Sequence, residues 1–299
     1  MPPKSDFARH SFGILFYLAG VFCFAANDAL AKFMVSHYDV AEILVIRSIG
    51  GLAMLLPLAF YLRVRFALPG HWGWHLLRLI AQLGDSYCFY LATRTLPLAD
   101  VMTFYMAGPI IVTAISGLLM GEKVGPYRWG AVIVGFVGVL IALAPTGATF
   151  SAGSLIALTG SFLFAVSLVI TRKQRDAHPL MLVSSQFASS GLVAALVAPM
   201  AWVTPGIGDL SLLLLLGVGA AACFLMITKA LALAPASLLA PFQYSVILWA
   251  AMFGWLIWHD VMTPRIILGN AILIASGLFV FYRERRRAVS VSDRVEQIP

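Results

Sequence analysis

Charge is what this chain has least of. Lys, Arg, Asp and Glu make up 11% of its 299 residues, against about 25% in soluble domains. Apolar residues reach 61% and the mean hydropathy is +0.93. No soluble core of this length buries so much apolar surface, so lipid is the solvent for most of the chain. Cysteine is also scarce. Cys23, Cys88 and Cys223 fall inside apolar runs, without the close Cys/His spacing of a disulfide framework or a zinc site, and read as buried thiols. There is no H-E-x-x-H, no G-x-S-x-G and no Cys/His cluster, which argues against a membrane-embedded enzyme. The missing G-x-x-x-x-G-K-[ST] loop argues against direct use of ATP. No catalytic residue, metal site or cofactor is expected.

What is abundant is the long apolar run. A spanning helix needs about 20 apolar residues, and ten runs qualify: 11–35, 40–62, 72–93, 98–120, 126–144, 153–172, 180–200, 210–229, 236–258 and 264–282. The first is too long for a signal-peptide core, lacks a small-residue cleavage site and reads as a retained helix. The tail after Tyr282, "RERRRAVSVSDRVEQIP", reads as disordered. With the N-terminus in the cytoplasm, fifteen Lys/Arg fall on the cytoplasmic side. Three (Lys32, Arg94, Arg265) fall on the other, and Arg47 and Arg78 lie inside helices, completing the twenty. That asymmetry puts both termini in the cytoplasm. The net charge of +7 is then topology and anionic-lipid contact, with no nucleic-acid partner.

The runs repeat. At an offset of 140, Gly13, Leu15, Leu18, Gly20, Phe22, Phe24 and Ala25 return as Gly153, Leu155, Leu158, Gly160, Phe162, Phe164 and Ala165. Gly51-Leu52 returns as Gly191-Leu192. At 135, Gly84, Cys88, Phe89 and Thr93 meet Gly219, Cys223, Phe224 and Thr228. At 138, Phe104 meets Phe242, Glu122 meets Asp260 and Pro126 meets Pro264. Residues 11–144 and 153–282 therefore read as two copies of a five-helix unit, between a cytoplasmic segment 1–10 and a basic cytoplasmic tail 283–299. Five is odd, so the second copy is inverted. The fold class expected is an all-α polytopic membrane protein, ten transmembrane helices in two inverted five-helix repeats. Such repeats exchange conformations around a central site, which suits a carrier.

Ionisable side chains inside a bilayer are costly and are site candidates by default. At about 1.5 Å per residue, Asp28, Arg47 and Asp85 lie some 10–12 Å below the same surface. Two readings stay open: a charge cluster that holds a zwitterion or relays a proton, and a self-satisfied ion pair tying three helices together. Asn27 adjoins Asp28. Lys32 shares the Asp28 face and could snorkel outward. Gln82 and Arg78 share one face of their helix, with Arg78 read as snorkelling; Glu42 reads as interfacial. The second copy has Leu168, Phe187 and Ala220 where the first has Asp28, Arg47 and Asp85. It offers instead neutral groups, Ser161, Ser167, Ser184, Ser185, Gln186, Gln243, Tyr244 and Ser245. A cavity between the copies would have one charged wall and one amphipathic wall.

Two matched stretches, "TFYMAGP" (103–109) and "PFQYSVI" (241–247), each carry an aromatic pair and a proline, Pro109 and Pro241. Carbonyls loosened by proline are tolerated in a bilayer only against protein or a wet cavity. Phe104, Tyr105, Phe242, Gln243 and Tyr244 are therefore candidates for stacking on a substrate or gating it. Gly130, Gly135, Gly138, Gly269 and Gly277 suggest close helix packing. Glu122 and Asp260 read as structural ends of helices.

These features together resemble the drug/metabolite transporter superfamily in its ten-helix EamA branch. The resemblance rests on "GEKVGPYRWGAVIVGFVG" (121–138) and "HDVMTPRIILGNAILIASG" (259–277): an acid closing the fourth helix of each repeat, then Pro and spaced glycines. His259-Asp260 departs from the Gly-Glu often found there. Within the branch the chain is similar to bacterial amino-acid exporters of the YddG type. The resemblance implies export of aromatic and other neutral amino acids by alternating access, from a multi-pass position in the bacterial inner membrane. The partners it implies are small-molecule substrate and membrane lipid, and a monomer suffices. A proton-coupled drug or metabolite exporter is the alternative; Asp28 would carry the proton.

Overall fold

The computed structural model describes residues 4–64, 72–108, 110–112, 114–115, 126–143, 151–174, 177–234 and 236–295. Among these the chain is helix and short connections: α1 (Lys4–Val35), α2 (Val40–Tyr61), α3 (Trp72–Thr95), α4 (Leu98–Tyr105), α5 (Pro126–Leu143), α6 (Ala152–Lys173), α7 (Pro179–Val197), α8 (Ile207–Leu233), α9 (Ala236–Gln243), α10 (Ser245–Trp258) and α11 (Pro264–Val295). Local chemistry sets the starts. Asp39 accepts from the Ala41 amide at 2.9 Å to begin α2, and Ser151 accepts from the Ser154 amide at 3.1 Å to begin α6. The His178 ring accepts from Leu180, beside Pro179 in the first turn of α7. Each satisfies an amide that the first turn of a helix leaves unpaired.

Five helices are long and apolar enough to cross a membrane by length and composition: His10–Val35, Val40–Tyr61, Ala152–Thr171, Pro179–Met200 and Ile207–Leu233. Four shorter segments are also apolar: Leu98–Val112, Trp129–Ala142, Ser245–Trp258 and Pro264–Phe279. The remaining expected span is α3. It has 24 residues, enough to cross, but His75, Arg78, Gln82 and Asp85 break its apolar character. Large apolar side chains point outward around the bundle, among them Leu15, Phe60, Leu192, Leu196 and Leu248. Such a continuous apolar exterior is stable against lipid and not against water.

The packing is exchanged between the two halves. α1 packs on α8 and α3 packs on α6, so the first helix of each repeat lies against the third of the other. α2 packs on α7, and α5 on α11, each helix against its own counterpart. Close approach at glycine makes this possible. A Cβ on Gly217 of α8 would strike the Arg47 carbonyl of α2, and one on Gly50 would strike the Leu214 carbonyl of α8. Gly138 and Gly269 bring α5 and α11 together in the same way, and Gly277 lies under the Tyr244 hydroxyl. Gly130, expected to pack closely, has open space around it.

The structure revises two further expectations. α11 continues to Val295, so the tail read as disordered is helical over 283–295. The fourth helix of each repeat is broken: α4 stops at Tyr105 before a turn at 106–107, and α9 stops at Gln243, with Tyr244 a turn before α10. At the repeat offset of 138, Met106 and Tyr244 correspond. Pro109 and Glu122 lie outside the described residues.

Candidate functional site

Broken helices within a membrane bundle leave carbonyls in need of partners. Here the chain supplies them. The Phe104 carbonyl accepts from Ala107 at 3.1 Å and the Phe242 carbonyl from Ser245 Oγ at 2.7 Å. The break after Tyr105 directs its phenol onto α3, where it donates to Asp85 Oδ1 at 2.8 Å. Phe89, one turn along α3, meets the Tyr105 ring edge to face, with centroids 5.7 Å apart.

Asp28 from α1, Arg47 from α2 and Asp85 from α3 come together electrostatically. They do not form the ion pair that equal depth permits. Among the described residues the ion pair within 4 Å is Lys32–Asp260. Arg47 reaches instead toward aromatic rings. Nη1 is 3.5 Å from the Tyr90 hydroxyl, a long bond. Its guanidinium carbon lies 5.9 Å from the Tyr90 ring centroid and 5.6 Å from that of Phe187. Its Nε is buried without a partner. Asp28, Arg47, Gln82, Asp85 and Phe89 all keep some accessible surface although their helices lie in the bundle. Inside the bundle, then, a cation and two acids stand near one another without an ion pair within 4 Å.

The other expected site residues divide. Asn27 lies over Gly219 of α8, where a Cβ would collide with its carboxamide. Gln82 accepts from Arg78 at 2.8 Å. Gln186 is half-buried on α7 beside Phe187, and Gln243 is half-buried at the end of α9. Phe104 is 2% exposed in a core cluster with Val101, Ile110 and Leu273, so it is a packing residue. Phe242 and Tyr244 pack against the cluster around Tyr17 and Met102. The second wall is less polar than its serines suggested. Ser167 and Ser185 donate to carbonyls of their own helices, and Ser161 and Ser184 are buried. From the second repeat, Phe187 meets Arg47, and Phe164 lies at a tilt 6.2 Å from the Tyr105 ring.

Lys32 and Glu42 also depart from expectation, and Tyr38 joins them. Lys32 does not snorkel into solvent: its Nζ is 2.9 Å from Asp260 Oδ2 and 4.6 Å from the Trp258 ring centroid. Glu42 is not interfacial. It is 0% exposed and Oε2 accepts from the Val203 amide at 3.1 Å. Tyr38 donates to Asp209 at 2.6 Å, and this hydrogen bond, with burial, pushes its phenol up to about 12. All three join the first repeat to the second on one face of the bundle. Sequence reasoning missed Tyr90 and Phe187 as partners of Arg47. The signal was present for Phe187, since it is the repeat equivalent of Arg47. No group of His, Cys, Asp and Glu among the described residues is arranged to hold a metal ion.

Fold and site define an all-helical polytopic membrane protein with a cluster of ionisable side chains inside the bundle. The model of the EamA-like transporter family matches residues 11–144 and again 151–282, and the chain belongs to that family. It is 28% identical to the riboflavin transporter of Vibrio cholerae over 92% of this chain and 95% of the relative. It is 26% identical to the S-adenosylmethionine uptake transporter of Rickettsia bellii, over 93% and 96%. It is 28% identical to the pseudopaline exporter CntI of Pseudomonas aeruginosa, over 88% and 94%. A solved crystal structure shares the fold, with TM-score 0.65 at 15% identity over 92% of this chain and 97% of that one. These relatives bear out a membrane transporter of small molecules; none of the three is named for aromatic amino-acid export.

Proposed function

We propose that the protein carries amino acids and solutes with an amino-acid head across the bacterial inner membrane by alternating access, outward from a cytoplasm that holds both termini. One observation carries this reading: Arg47 presents an unpartnered Nε between aromatic rings, in the electrostatic field of Asp28 and Asp85. A carboxylate would take the guanidinium by charge-assisted hydrogen bonds. An ammonium would lie toward the two acids, and an apolar or aromatic tail would stack on Phe89, the half-buried ring beside Asp85. The broken fourth helices fit a binding site at the middle of an inverted repeat. The range of relatives, from S-adenosylmethionine to pseudopaline, supports a charged-head reading without fixing the tail.

A second reading rests on the same aromatic walls: a planar, uncharged solute such as riboflavin, as in the named transporter of Vibrio cholerae. Counterflow into proteoliposomes separates the two. Labelled phenylalanine, S-adenosylmethionine and riboflavin are compared with and without a pH gradient. Saturable phenylalanine or S-adenosylmethionine flux supports the first reading. Riboflavin flux alone sinks it. Flux that requires the gradient assigns Asp28 or Asp85 the proton.

A further inference from the structure

A second arginine is more completely buried than Arg47. Arg78 is 1% exposed and stands on the same stripe of α3 as Asp85. His75, Arg78, Gln82, Asp85 and Phe89 recur at helical spacing along one face. Its guanidinium donates to three neutral acceptors: Gln82 Oε1 at 2.8 Å, Ser185 Oγ at 2.9 Å and the Leu182 carbonyl at 3.0 Å. The last two belong to α7, in the other repeat. Among the described residues no carboxylate lies within ion-pair distance of it. His75 lies within electrostatic reach of Arg78 and beside the Gln174 side chain, with which it makes a hydrogen bond of poor geometry. Around this cation Arg78 Nε, His75 Nδ1 and both side-chain polar atoms of Gln174 are buried without partners of good geometry. Lys173 Nζ sits 3.9 Å from the Trp74 ring centroid at the edge of the cluster.

A buried guanidinium held only by neutral acceptors is under-compensated. If the α3–α7 seam parts, the bonds to Leu182 and Ser185 break, and among the described residues Gln82 is the acceptor left to the cation. An anionic group replaces both with stronger, bidentate contacts. We propose that Arg78 is the cytoplasmic gate of the transport path, opened by an anionic group of the solute, carboxylate or phosphate, that takes the place of the Leu182 carbonyl and Ser185 Oγ. His75 and Gln174 supply further hydrogen bonds to that anion. This rests on the carrier reading and extends it, because the central cluster at Arg47 does not require Arg78.

Trp74 is the reporter. Protein in phosphatidylcholine nanodiscs is titrated with inorganic phosphate, and the Trp74 emission is isolated as the difference between wild type and Trp74→Phe. The expected result is a saturable change that weakens about tenfold or more in Arg78→Gln, the scale of a lost charged hydrogen bond. Arg78→Lys, which keeps the charge and loses the fork, gives an intermediate response and guards against misfolding of the glutamine variant. Absence of a saturable change in wild type, or an equal change in Arg78→Gln, overturns the proposal. So does suppression of the response by phosphatidylglycerol in the nanodisc, which would assign the site to a lipid headgroup. Failure of the carrier reading would appear as absent counterflow with the phosphate response intact.

Discussion

Arg47 and Phe187 hold equivalent positions in the two repeats, and they meet: the guanidinium carbon lies 5.6 Å from the ring centroid. Residues beside a pseudo-two-fold axis touch their own counterparts. The α2–α7 crossing therefore lies beside that axis, and so does the charge difference between the repeats. A symmetric pair of arginines there would repel in low dielectric; a cation facing a ring does not.

Arg47→Ala is expected to reduce counterflow at least tenfold while leaving the melting temperature close to wild type, since Arg47 makes one long hydrogen bond. Arg47→Lys restores charge without the planar fork and is expected to rescue only part of the flux. Full transport by Arg47→Ala in folded protein would remove this residue from the mechanism.

Tyr105→Phe leaves Asp85 without its 2.8 Å donor. The expected loss is about 1–3 kcal/mol in folded stability or substrate affinity, read by thermal melting and by the KM for flux. Asp85→Asn in the same background is expected to add little, because the two residues act through one bond.

Glu42→Ala removes the acceptor of the Val203 amide and is expected to lower stability by about 2 kcal/mol with KM unchanged. A raised KM with an unchanged melting temperature would move Glu42 into the transport path.

Lys32–Asp260 joins α1 to the loop after α10 with both side chains mostly enclosed. A double-mutant cycle of Lys32→Ala and Asp260→Ala is expected to give a coupling of about 1 kcal/mol. Because the pair spans the two repeats, the single variants are expected to change maximal flux more than KM. Additive effects on flux would show that the pair does not act as a latch.

His259 ends α10 with φ of 57°, a left-handed conformation that suits glycine. Its amide bonds the Trp255 carbonyl at 3.0 Å, and the Asp260 amide bonds Gly254 at 3.1 Å, a hydrogen-bonded C-cap that sets Asp260 toward Lys32. His259→Gly is expected to stabilise the protein by about 1 kcal/mol with Asp260 in place, measured by thermal melting. A drop in stability would assign the imidazole a contact of its own.

Much of this architecture is legible in residue order. Apolar runs of spanning length, an odd repeat and charges at matched depth are local or periodic properties, and lipid enforces them because unpaired backbone cannot remain in it. The α3 stripe from His75 to Phe89 is likewise readable from helical spacing. Composition alone set the class, and the repeat offset already paired Arg47 with Phe187. Tertiary structure decided which polar groups satisfy one another. Arg78 and Glu42 look like surface residues in a list of charges, yet both are buried against the other repeat. Lys32 pairs with a residue 228 positions away, and Arg47 turns from the acids to rings. Such choices depend on where helices cross, on small residues such as Gly217 that admit a neighbouring backbone, and on the desolvation of each charge at the crossing, none of which residue order expresses locally.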